Sequence, residues 1–292
     1  MSRLPKIVAV VGTNASGKSA LGIELAQKYH AEIISADSRQ VFRGLDLGSG
    51  KVTPEETQGV PHHMIDVREP NEFFSMADFQ KLSYQYIEEI RSRGNLPMIV
   101  GGTGLYVDSV LDGYLLSDKE PDLAYRAELE KLTTPQLYEM LLGLKPDAQV
   151  EKNNRNRVMR MIERIHDGDS AVPGKCERYD SLRLGVSWPR EVVNQRIDER
   201  LERRLEQGMI EEVKRLMDEG ATTEFLLGLG LEYRFITQYL IGEIPDREEM
   251  LRLLATAIKQ FAKRQMTWFR RDRKSTRLNS SHRCTSRMPS SA

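Results

Sequence analysis

The chain of 292 residues has two cysteines, no long apolar run and no net charge. Each shortage excludes something. Cys176 and Cys284 are too few and too far apart for a disulfide framework or a cysteine-based metal cluster, and they fit a reducing compartment. No stretch approaches the roughly 20 apolar residues that a membrane helix needs, so no membrane partner is expected. Residues 1–6 run straight into an apolar strand pattern without the parts of a secretory signal. The default expectation is a soluble, cytoplasmic monomer. Lys and Arg together number 43, and so do Asp and Glu, so the sum of charge favours no nucleic acid. Its distribution says more. Basic residues gather at 152–164, 190–204 and 259–274, acidic ones at 118–130 and 243–249. Such basic stretches suit phosphate contacts, and they suit a solvated helix face equally well.

What is present is an alternation of strands and helices. Residues 6–11 form a Val-rich run closed by Gly12, the pattern of a buried strand. Residues 17–29 have helical spacing through Leu21, Leu25 and Ala26. Short strands are expected at 32–36, 63–67 and 96–100, with a helix over 75–93 whose N-cap is Ser75. From 122 to 167 only helical spacing appears, broken at Pro135 and Pro146, and 167–180 reads as loop. A strand over 182–188 follows, and then helices over 190–206, 208–218, 231–241 and 246–271. The expected fold class is α/β, a parallel-sheet core of the P-loop NTPase type with an inserted all-helical domain. The core would comprise 1–112 and 182–274 and the insertion 113–181. The Ser- and Arg-rich residues 275–292 have no periodicity and read as an irregular or non-native tail.

The strongest motif is Gly12-Thr13-Asn14-Ala15-Ser16-Gly17-Lys18-Ser19, which has the form G-x-x-x-x-G-K-[ST] between a strand and a helix. Glycines let such a loop turn successive N–H groups onto a phosphate, and the helix start adds its positive end. Lys18 supplies a point charge, and the Ser19 hydroxyl can hold Mg²⁺. Asp37-Ser38-Arg39-Gln40 follows the second strand, at the sheet end where ligands bind. Asp37 there could be a general base, a metal ligand or a cap. Gly101-Gly102-Thr103-Gly104 follows the strand at 96–100, and its glycines permit close approach of a substrate. No apolar strand ends in the Asp that holds Mg²⁺ in ATPases, which argues mildly against ATP hydrolysis. Arg196 and Arg200 share a helix face and could clamp a diphosphate, or could pair with Glu199, Glu202 or Glu206. Arg157, Arg160 and Arg164 form a basic face in the insertion. His62 and His63 lack partners at ligand spacing and read as hydrogen-bonding residues.

Taken in order, these segments resemble the tRNA dimethylallyltransferases, also called tRNA isopentenyltransferases, over about residues 6 to 273. The resemblance rests on Gly12–Ser19, Ser35-Ala36-Asp37-Ser38, Gln40–Gly48, Pro61–Asp66, Val100–Tyr106 and Lys263–Arg270. It implies transfer of a dimethylallyl group from dimethylallyl diphosphate to N6 of the adenosine 3′ of the anticodon, position 37 of tRNA. It also implies a diphosphate on the P-loop with Mg²⁺, Lys18, Ser19 and Arg200, with Asp37 as base and Thr103 holding the flipped adenine. RNA contacts are implied at Asp37, Ser38, Arg39, Gln40, Thr103, Arg126, Asn156, Arg157, Val158, Met159 and Arg160, with the insertion gripping the anticodon stem-loop. The basic helix at 263–273 would line the same channel. The family's usual proline and threonine stand here as Thr13 and Asn14, at positions where backbone does the binding. Its usual G-Y-[RK] is replaced by Gly230-Leu231-Glu232-Tyr233-Arg234. Two rival readings are a P-loop small-molecule kinase, which would need ATP, and a non-catalytic RNA-binding switch controlled by a nucleotide.

Overall fold

The computed structural model describes residues 4–116, 122–169, 174–271 and 275–279. The Val-rich run Lys6–Gly12 is β1, the centre of a parallel sheet. It pairs on one side with β4 (Leu96–Gly101) and on the other with β5 (Asp180–Ser187). Beyond β4 lie β2 (Ala31–Ala36) and the two-residue β3 (His62–His63), giving the order β3-β2-β4-β1-β5-β6. The sixth strand, β6 (Ser275–Asn279), pairs with β5 at the far edge, inside the segment that composition reads as irregular. β3 is shorter than the expected strand because Met64 and Asp66 take left-handed φ of 64° and 55°, which breaks the extended run.

Alternation along the strands divides the core into two layers. Val10, Ile33, Met98 and Val100 point to helix α1 (Lys18–Tyr29) and bury Ile23 and Ala26. Ala9, Val11, Ile34 and Ile99 point the other way, onto α2 (Met76–Ser92) and α3 (Gly104–Leu111). Ser75 is the expected N-cap of α2, in a reciprocal capping box with Asp78. The helices after β5 make their own core. α7 (Arg190–Glu206), α8 (Met209–Asp218), α9 (Thr223–Leu229), α10 (Leu231–Leu240) and α11 (Arg247–Arg271) bury Val193, Ile197, Val213, Ile236, Leu254 and Ile258 against Val41, Phe42 and Leu45. Each such side chain contributes about 1.5–3 kcal/mol by leaving water. α3 and α9 are short and begin or sit beside glycines, so spacing does not reveal them. No helix among the described residues is long and apolar enough to cross a membrane.

The chain divides into two compact units, Met1–Gly113 with Glu177–Ala292, and Tyr114–Cys176. The second unit is helical, as the spacing implies, and holds α4 (Leu123–Glu130), α5 (Thr134–Leu144) and α6 (Arg155–His166) around Leu129, Leu137, Leu141, Val158 and Ile162. It is shorter than the segment 113–181 read from sequence. Tyr179 already packs in the sheet's core, and the Asp180 N–H donates to Pro5 O.

At the sheet's amino end, buried Glu32 accepts from Arg93 Nε and Nη2 and from Asn95 Nδ2 at 2.8–2.9 Å, with His63 Nε2 at 2.7 Å. The Arg93 hydrogen bond, outweighing burial, holds the Glu32 carboxyl down from 4.5 to about 2. A depressed carboxylate adds stability above its unfolded value, and this is lost as pH falls through the folded one. Glu32→Gln is therefore expected to lower the melting temperature by roughly 5 °C at neutral pH. The gap to wild type should close between pH 4.5 and about 2. A gap independent of pH, measured by thermal unfolding, would contradict this.

Candidate active site

The register of three neighbouring strands builds the site. Ala36 of β2 and Val11 of β1 both lie beside Gly101 of β4, so the strands end level. The loops after them therefore emerge side by side at the carboxyl end of a parallel sheet, where ligands bind. They carry Asp37, Gly102 with Thr103, and the P-loop from Gly12 to Ser19.

Lys18 and Ser19 open α1 and line a cleft of about 510 Å³, partly open to solvent, together with Asp37, Gln40, Gly50, His62 and Arg200. The P-loop is held from several sides. Ser16 N–H donates to Thr13 O at 3.3 Å, and Trp188 Nε1–H donates to Ser16 O at 2.9 Å. Arg196 stacks on Trp188 at 4.0 Å, so of the two arginines proposed as a clamp it braces the loop from outside. Asn14 N–H donates to Gln265 Oε1 at 2.8 Å.

Arg200 and Arg204, one turn apart on α7, both converge on Gly50. Arg200 Nη2–H reaches Gly50 O at 3.4 Å, and a Cβ on residue 50 would overlap both guanidinium groups. The φ of 64° at Gly50 is left-handed and favours glycine, and any side chain there would push both guanidinium groups aside. Glu232 of α10 pairs with Arg39 at 2.8 Å and more loosely with Arg204 at 3.7 Å. Burial first, and then the Arg200 charge, pull Lys18 from 10.5 down to about 8 and Arg204 from 12.5 down to about 10. Burial also lowers Arg200. Burial is the largest influence on Arg39 too, but the charges of Glu232 and Asp37 and the Glu232 hydrogen bond together outweigh it, and Arg39 is raised. Four cations, Lys18, Arg39, Arg200 and Arg204, thus face two carboxylates, Asp37 and Glu232. The outlying Arg203 and Glu56 add one charge of each sign and leave the excess unchanged. Positive charge mutually repelling in a cleft is a site for a polyanion.

The strap that carries Gly50 is pinned by a buried carboxylate. Glu212 of α8 accepts backbone N–H groups of Asp46, Leu47 and Gly48 at 2.6–3.1 Å and the Tyr233 hydroxyl at 3.1 Å. Tyr233 lies directly beneath Gly48. Residues 230–234 therefore supply the Glu232 clamp and the Tyr233 support.

Asp37 Oδ1 accepts the Arg39 N–H at 3.0 Å, so the carboxylate both caps its turn and faces the cleft. Thr103 N–H donates to Ala36 O at 3.1 Å, which sets Thr103 at the same strand end, heading α3 with a hydroxyl that makes no cap bond. Ser38 is half-buried. Gln40 is engaged at both ends of its amide, with Ser35 Oγ at 2.8 Å and Gly50 O at 3.1 Å. His62 Nδ1 lies 2.8 Å from Val60 O and His63 bonds Glu32, in line with the hydrogen-bonding reading. Among the described residues no group of three or more His, Cys, Asp or Glu could hold a metal.

The remaining sequence-derived contacts lie in the second unit. Arg126 and Arg160 both pair with buried Glu163, at 2.7 and 3.2 Å. Asn156 and Arg157 are exposed. Val158 and Met159 are buried in that unit's core, so their side chains serve packing. Sequence reasoning missed Arg204, Glu212, Glu232 and Gln265. Arg204 carried a visible signal, since it continues the four-residue spacing of Arg196 and Arg200, and Glu232 and Gln265 lie within the segments 230–234 and 263–270 that the resemblance marks.

A family model described as IPP transferase matches residues 40–272. A protein of Shewanella sediminis named tRNA dimethylallyltransferase 2 is 46% identical over 271 residues, covering 91% of this chain and 89% of its own length. A tRNA dimethylallyltransferase of Bacillus velezensis is 40% identical, covering 90% and 87%. Among solved structures, the full-length tRNA isopentenylpyrophosphate transferase of Bacillus halodurans superposes with a TM-score of 0.72 at 38% identity, covering 94% of this chain and 89% of that one. A eukaryotic dimethylallyltransferase acting on tRNA gives 0.78 at 26% identity, covering 95% and 75%. The chain belongs to the IPP transferase family, which decides against the kinase and nucleotide-switch readings.

The lowered Lys18 yields a measurable consequence. An anion that restores its charge must draw a proton onto it when pH is near or above about 8. Calorimetry of inorganic pyrophosphate binding, in two buffers of different ionisation enthalpy, is expected to show more proton uptake by wild type than by Lys18→Met at that pH. Equal uptake by both proteins would assign the proton elsewhere.

Proposed function

We propose that this protein is a tRNA dimethylallyltransferase that moves the dimethylallyl group of dimethylallyl diphosphate to N6 of the adenosine 3′ of the anticodon. The observation that carries the reading is the buried excess of positive charge around the P-loop, next to the Asp37 and Thr103 turns.

In this reading the diphosphate lies along the P-loop, and Lys18, Arg200 and Arg204 take up the charge that grows as the allylic carbon–oxygen bond breaks. Thr103 orients the adenine, whose exocyclic nitrogen attacks the same carbon in line. Asp37 accepts the proton that this nitrogen releases. The amine is a poor nucleophile because its lone pair is delocalised, so alignment contributes at least as much as deprotonation. Ser19 and Asp37 offer hard oxygen donors in one cleft, which fits a Mg²⁺ that takes its other ligands from phosphate and water. When bound there, the ion would supply further neutralisation of the leaving diphosphate. The adenine must leave its stack to be reached, as chemistry on a base requires. Backbone phosphate contacts would fall to exposed Arg157, with Arg126 and Arg160 beside it on Glu163.

The test is nucleoside mass spectrometry after incubating the protein with Mg²⁺, dimethylallyl diphosphate and an anticodon stem-loop. One dimethylallyl adduct on the adenosine 3′ of the anticodon is expected, and unaltered RNA would refute the assignment. Asp37→Ala should lower turnover by about 10²–10⁴ with RNA still bound. Turnover kept at the wild-type rate would remove Asp37 as the base.

A further inference from the structure

Gln265, on the buried face of α11, touches two loops that are far apart in the chain. Its Oε1 accepts the Asn14 N–H of the P-loop at 2.8 Å, and its Nε2 donates to Gly102 O, beside Thr103, at 3.0 Å. Both polar ends of a 7% exposed amide are thereby satisfied, so the side chain has one orientation rather than two. The fit depends on glycine. A Cβ on residue 102 would stand 2.5 Å from Gln265 Nε2, and also 3.4 Å from Gly12 O and 3.6 Å from Lys18 Cε. One helical turn on, Trp268 lies against Gly104 and donates from Nε1 to Asp108 Oδ2 at 2.8 Å, fixing the first turn of α3 from the same helix. The Asn14 N–H is turned to Gln265 and not to the cleft, so this bond holds the loop without competing for the anion.

We infer that Gln265 is a positioning residue that sets the distance between the leaving-group loop and the acceptor turn. The inference rests on the proposed transfer, in which the diphosphate belongs to the P-loop and the adenine to the Thr103 turn. An in-line displacement tolerates little error in that distance. A misplacement of about 1 Å costs on the order of 100-fold in rate. Most P-loop contacts, Lys18 and the arginines do not involve Gln265, so anion binding should survive its loss.

Gln265→Met keeps the length and removes both bonds. Single-turnover transfer to an anticodon stem-loop is expected to fall roughly 10- to 100-fold, while the Kd for inorganic pyrophosphate stays within about threefold. Gly102→Ala, which pushes on the amide from the other side, should give the same split. The double variant should be no slower than the worse single one, because both changes break one contact. A Gln265→Met enzyme that transfers at the wild-type rate overturns the inference. So does a loss of pyrophosphate affinity that matches the loss of rate. A readout independent of transfer separates this from failure of the assigned reaction. Pyrophosphate should slow hydrogen exchange of the peptide 101–106 in wild type and not in Gln265→Met. Equal slowing in both proteins refutes the Gln265 link between the two loops even if the reaction is another one.

Discussion

The structure depends on positive charge gathered where it is unfavourable. Lys18 and Arg200 line the cleft with Asp37, Arg204 and Glu232 border the adjoining pocket beside Asn14 and Ala15, and Arg39 pairs with Glu232 behind them; burial weakens the hold of Lys18, Arg200 and Arg204 on their protons. Such an arrangement stabilises nothing by itself, since each cation gives up water and meets its like. It becomes favourable when a polyanion enters, and more so when further negative charge appears on that anion as a bond to carbon breaks.

Much of the surrounding fold serves to hold that arrangement in place. The level ends of β1, β4 and β2 put the anion loop beside Thr103 and Asp37. The Glu212 carboxylate fixes the strap leading to Gly50, against which both α7 arginines rest. Glu232 restrains Arg39 and Arg204 without neutralising the group as a whole. The helices after β5 are thus part of the site, since α7, α8, α10 and α11 each send a polar side chain to a loop or cation at the sheet's edge.

Legibility in the sequence followed whether a residue's meaning is local. Gly12–Ser19 could be read because a loop that wraps phosphate needs those residues at that spacing, and Asp37 and Thr103 could be read because each follows a buried strand. The central strands were visible as β-branched runs, and α2 through its spacing and its Ser75 cap. The roles of Glu212, Glu232 and Gln265 could not be read, although the last two lie in segments the resemblance marks, because each acts on a residue at least 28 positions away. Arg200 was ambiguous for the same reason. Its spacing fits a solvated face, and only the strap at Gly50 shows which way the face points. Val158 and Met159 sit within a basic helix and pack inward, a separation that a contiguous motif cannot express.

The central claim is that the cationic cleft is unfavourable when empty and is completed by a diphosphate. Thermal unfolding of wild type and Arg204→Met, with and without pyrophosphate, tests it most directly. The claim requires the empty variant to be at least as stable as the empty wild type and to lose most of the gain from pyrophosphate. An empty variant that is clearly less stable, with an undiminished gain, would mean that Arg204 is a structural residue and that the cleft is not built for this anion.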